Sequence, residues 1–101
     1  MIFLNELGSF LYSRRKEIGY TQEIVAEIIG VSARTLRNIE YNYTTPEFEN
    51  IIKLWDLYEL EPERLFEFYS RDEIMNEMAL YYYKKRKEKI SYLPSHNLKG
   101  V

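Results

Sequence analysis

Nineteen consecutive residues, Gln22 to Glu40, constrain this chain more than any other stretch: QEIVAEIIGVSARTLRNIE. A short segment with apolar positions at helical spacing runs into Gly30 and Val31, and Ser32 opens a second such segment. Glycine takes the left-handed conformation that ends helices, and serine accepts one of the free N–H groups at a helix start. The spacing therefore predicts a helix, a tight turn and a second helix. In the second, 100° per residue sets Leu36 and Ile39 on one side, and Ala33, Arg34, Arg37, Asn38 and Tyr41 on an arc of about 140° facing away. The inward pair anchors the helix. The outward five are free to meet a ligand.

Flanking segments read as further helices. Phe3, Leu4, Leu7, Phe10, Leu11 and Ile18 recur by three, four and seven, and Gly19 is the expected stop. Thr21 is a fitting N-cap for the helix that follows, with Val25, Ile28 and Ile29 as its buried side and Ala26 where helices cross closely. Asn42 stands where the chain must turn, and asparagine tolerates a positive φ. Thr44, Thr45 and Pro46 lead to a proline-started helix with the stripe Phe48, Ile51, Ile52, Trp55 and Tyr58. Pro62 opens a short fifth helix through Leu65, Phe66 and Tyr69. Ser70 and Glu73 spell a capping box for a sixth, running past Ile74, Met78, Tyr81 and Tyr82 to about Lys89. Pro94 ends any helix, leaving a tail. No β-alternation occurs, so the expected class is all-α.

The chain has 101 residues, 46% hydrophobic and 30% charged, the size of one folded domain plus an appendage. Expected boundaries are a domain over 1–69, a C-terminal helix over 70–93 and a tail over 94–101. There is no cysteine and one histidine, His96. Disulfides and thiolate metal sites are excluded, and no cofactor, metal site or catalytic residue is expected. No apolar run reaches membrane-spanning length and MIFLNELGSF lacks a secretory pattern, so the expectation is cytoplasmic, without a membrane partner.

A net charge of -2 seems to disfavour a polyanionic partner, but its distribution matters more. Residues 1–46 hold five bases and five acids, residues 47–77 three bases and ten acids, and residues 78–101 six bases and one acid. The excess of acid lies in residues 47–77, outside the two-helix element, so a neutral-to-basic face remains available for phosphate. A helix offered in this way suits the major groove of double-stranded DNA.

Leu7-Gly8, Arg15, Thr21-Gln22, Val25-Ala26, Gly30-Val31-Ser32, Leu36, Ile39-Glu40, Pro46 and Leu65 stand in one register over roughly residues 4–67. In that register the chain resembles the Cro and phage-repressor type of helix-turn-helix domain, the XRE-like transcription regulators in particular. The resemblance implies a five-helix, lambda-repressor-like bundle, here followed by a longer sixth helix. It implies base-edge contacts from Ala33, Arg34 and Asn38, with Arg37 able to reach a base or the backbone. Arginine pairs bidentately with guanine and asparagine with adenine, while alanine offers a methyl to thymine. Phosphate contacts fall to Gln22, aided by the helix dipole, to Thr21 and Ser32 at the helix ends, and to Tyr41, Tyr43 and Thr44. Arg15 and Glu40 occupy positions that pair in many relatives, and are read as a structural ion pair.

The chain departs from the family at three places. Asn42 stands where glycine is common and the loop Tyr-Asn-Tyr-Thr-Thr has no base; Trp55 replaces a small residue; the region around the fourth and fifth helices is acidic. Fewer phosphate contacts imply a shallow salt dependence, so tight binding calls for a dimer or an added basic element. The sixth helix, with Ile74, Met75, Met78, Tyr81 and Tyr82, is more apolar than a free helix should be. It either folds back or pairs with a second subunit, and a homodimer would match a palindromic operator. The run Lys84-Lys85-Arg86-Lys87 suits either DNA backbone or the helix C-terminal dipole. The expected function is a sequence-specific, dimeric DNA-binding regulator, a repressor in sense. The alternative is an antitoxin- or antirepressor-like interaction module that binds another protein through the acidic, aromatic region 47–83.

Overall fold

Four of the helices end in the same way, and those endings shape the first part of the molecule. A computed structural model describes the backbone of residues 4–92 and the side chains of residues 6–89. It contains α1 (Leu4–Ile18), α2 (Gln22–Ile29), α3 (Ala33–Glu40), α4 (Phe48–Leu57), a 3₁₀ helix (Pro62–Glu67) and α5 (Arg71–Tyr92). Gly19, Gly30, Asn42 and Glu59 take positive φ of 99°, 83°, 63° and 54° after α1 to α4. The next N–H reaches back five residues each time: Tyr20 to Arg15, Val31 to Ala26, Tyr43 to Asn38 and Leu60 to Trp55, at 2.9–3.2 Å. These bonds satisfy carbonyls that a helix end would otherwise leave open.

The starts are equally local. Thr21 Oγ1 accepts the Ile24 N–H at 3.1 Å, and Ser32 Oγ accepts the Thr35 N–H at 3.0 Å. The chain is all-α: among the described residues there is no strand. It divides into two units, the bundle through Ser70 and the stretch from Arg71 that forms α5. No helix among the described residues is long and apolar enough to cross a membrane.

The bundle closes on Leu7, Leu11, Val25, Ala26, Ile29, Leu36, Ile39, Ile51, Leu54, Trp55 and Tyr58. Each fully buried aliphatic side chain here stabilises the fold by about 1.5–3 kcal/mol. Two stripes are rotated from their expected positions. Ile28 is 55% exposed, because the buried arc of α2 is centred on Val25 and Ala26 and Ile28 lies outside it. In α4, Leu54 is fully buried while Ile52 is half-buried, since that arc is centred on Ile51 and Tyr58.

Pro46 precedes the helix instead of starting it: Glu47 is the N-cap of α4. The fifth helix is 3₁₀, with Pro62 in its first turn. Trp55 explains how this turn is held. Its Nε1 donates to the Glu61 carbonyl at 3.0 Å, and its ring lies 5.8 and 6.2 Å from those of Phe10 and Phe68. Phe3, Pro94, His96 and the tail lie outside the described residues.

Candidate nucleic-acid interface

The polar face of α3 is presented by a buried ion pair beneath it. Arg15 Nε donates to Glu40 Oε2 at 2.7 Å and NH2 to Oε1 at 3.0 Å, joining α1 to the end of α3. Arg15 NH1 also donates to the Tyr20 carbonyl at 2.8 Å, and Gln22 Nε2 donates to Glu40 Oε1 at 2.9 Å. The two charged side chains are only 6% and 2% exposed. Bonding to Glu40 raises the Arg15 pKa above its ordinary value, outweighing the opposing effect of burial. This cluster links α1, the start of α2 and the end of α3, and so fixes the angle between the two helices of the motif.

A second tie holds the same end of α3 to α1. Asn42 Oδ1 accepts the buried Gly8 N–H at 2.8 Å. Gly8 has no room for a side chain, because a Cβ there would meet the Ile39 and Glu40 carbonyl oxygens and Asn42 Oδ1. Asparagine at 42 thus provides both the turn and the tether to α1.

Leu36 and Ile39 are buried, whereas Arg34 is exposed and Arg37 and Asn38 are half-exposed. None of these three polar side chains has a partner among the described residues, so all three can bind something else. Ala33 is half-buried against the core, which leaves part of its methyl outward. Tyr41 and Tyr43 are 59% and 74% exposed, with ring centroids 5.5 Å apart, and Thr44 is exposed beside them.

Hydrogen bonding redistributes the expected phosphate donors. One of the two Gln22 side-chain N–H groups is given to Glu40, leaving the other, the backbone N–H and the helix end. The Ser32 hydroxyl donates to Thr35 Oγ1 at 3.0 Å, so the free hydroxyl proton at this helix start belongs to Thr35. Thr35 is exposed, although helical spacing sets it between Asn38 and Ile39, outside the polar arc. The capping serine, visible in the sequence, was the signal for it.

Residues 11–65 match the family described as helix-turn-helix. The chain belongs to the XRE-like helix-turn-helix family. This helix-turn-helix chain is 32% identical over 68 residues to HTH-type transcriptional regulator ImmR of Bacillus subtilis (strain 168), covering 67% of this chain and 51% of that relative. It therefore spans about half the length of the curated relative that it matches. No solved structure matches it. The matched stretch takes in α2, α3, α4 and the Arg15–Glu40 pair, so the family's motif and the partner-free face of α3 are one element.

Proposed function

We propose that the chain is a cytoplasmic, sequence-specific DNA-binding transcription regulator. It acts as a repressor and works as a homodimer, with α3 in the major groove. The observation that carries this reading is the set Arg34, Arg37 and Asn38, partner-free on the outer face of a helix whose inner face is locked by Arg15 and Glu40. Arg34 and Asn38 read base edges, Ala33 offers a methyl, and Arg37 reaches a base or a phosphate. Thr21, Thr35, Tyr41, Tyr43 and Thr44, with Gln22 and the backbone N–H of Ser32, set the position on the backbone. Family membership and a relative named as a transcriptional regulator support it. Selection of sites from random DNA, followed by a gel shift at two salt concentrations, tests it. A single enriched, palindromic motif is expected; no enrichment would sink the reading.

A second reading has one observation in its favour. Phe66 is 57% exposed within a turn that also holds Glu63 and Glu67, an acidic, aromatic surface that suits a protein partner. It becomes the better account if no salt-sensitive shift is found.

A further inference from the structure

The helix α5 carries opposite charge at its two ends. Residues 71–77 hold Asp72, Glu73 and Glu77 against Arg71, a net -2; residues 84–89 hold five bases against Glu88, a net +4. No charged residue lies between Glu77 and Lys84. Along one face Asp72, Met75, Ala79, Tyr82 and Arg86 follow by three, four, three and four residues, the spacing of a seam between paired helices. All five are exposed, Met75 at 57% and Tyr82 at 53%, whereas Ile74 is buried and Met78 and Tyr81 are half-buried. The seam is thus a face of its own, apolar in the middle and charged at both ends.

We infer that this seam docks onto α5 of a second copy of the chain, in antiparallel order. Charge decides the direction. Parallel pairing sets the two +4 ends together, while antiparallel pairing sets each against a -2 end. With the two-fold axis at Ala79, Asp72 faces Arg86 of the other copy, and the alanine lets the helix axes approach closely. The inference rests on the two-copy reading above and adds the surface and the orientation. It has a consequence for DNA: the two Arg71 residues, where the bundles attach, stand roughly 24 Å apart along the helix axis instead of side by side.

The lack of cysteine makes the test direct. Full-length Asp72→Cys and Arg86→Cys proteins are treated with a short bifunctional thiol reagent, singly and as an equal mixture. Circular dichroism checks that both stay helical, since each change removes one exposed charge of several. The unmodified chain should sediment at twice 12.3 kDa. The mixture should yield about tenfold more cross-linked dimer than either variant alone, because like positions lie roughly 21 Å apart along an antiparallel pair. Self-linking of Asp72→Cys overturns the orientation. A dimer with no cross-link in any arm places the contact elsewhere, which overturns the inference and leaves the two-copy reading standing. A monomer overturns both, and DNA binding is read separately by the gel shift.

Discussion

Arg15 and Glu40 meet in a two-bonded fork at 2.7 and 3.0 Å, from helices 25 residues apart, with both side chains almost wholly out of water. Gln22 adds a third bond to the same carboxylate. Removing one member strands the other charge, so Arg15→Met or Glu40→Gln should each cost about 3–5 kcal/mol in urea unfolding. Replacing both, as Arg15→Met with Glu40→Leu, should cost clearly less than the sum of the two single changes. Additive losses would show that the pair is not coupled. The raised Arg15 pKa means this guanidinium stays charged throughout the neutral range.

Tyr58 has the opposite character. Its ring is fully buried in the core, and its hydroxyl has no hydrogen-bond partner among the described residues. Tyr58→Phe removes an unsatisfied group and should raise stability by about 1 kcal/mol at pH 7. Burial also pushes the phenol pKa far above its ordinary value of 10.0. The unfolded chain then loses its proton first, so Tyr58 contributes stability that is complete below pH 10 and declines above it. Urea midpoints at pH 7 and in the alkaline range check both points: the wild type should weaken more steeply above pH 10 than Tyr58→Phe.

Asn42 serves two purposes that substitution can separate. Asn42→Gly keeps the positive φ and strands the buried Gly8 N–H, at a cost of about 1–3 kcal/mol. Asn42→Ala strands it too and adds about 1–2 kcal/mol for a side chain in the left-handed region. Thermal unfolding should therefore rank wild type above glycine and glycine above alanine. Equal loss in both variants would mean that the backbone conformation contributes nothing.

Arg34 is the exposed, partner-free base of α3. Arg34→Ala should weaken binding to the selected site by about 1–3 kcal/mol and leave binding to random DNA nearly unchanged. Titrations on both DNAs at one salt concentration measure this. Equal losses on both would assign Arg34 to phosphate.

Salt dependence reads the poverty of the loop. From Asn38 to Pro46 there is no base, so Arg34 and Arg37 are the bases of the α3 face. With Arg34 on a base edge, Arg37 of each of two copies neutralises one phosphate, and the slope of log affinity against log salt should be about -2. A much steeper slope would bring in the basic end of α5, and Lys84→Gln with Lys87→Gln should then flatten it.

The amino-acid sequence was sufficient for whatever acts within about five residues along the chain. Thr21 and Ser32 as helix starts, Gly19, Gly30 and Asn42 as helix ends, and the opposition of Leu36 and Ile39 to Arg34 and Asn38 all follow from local backbone geometry. The Arg15–Glu40 pair came from the family register, since spacing alone does not join residues 25 apart. Only the packed bundle decided that Gln22 gives its amide to Glu40, that Asn42 holds Gly8, and that Leu54 is buried while Ile28 is exposed. It also left the Tyr58 hydroxyl unbonded in the core. A helix states which of its faces is apolar to within one or two positions; the neighbouring helices choose the angle at which that face is used. The polar groups along its border are then bonded or freed by that choice.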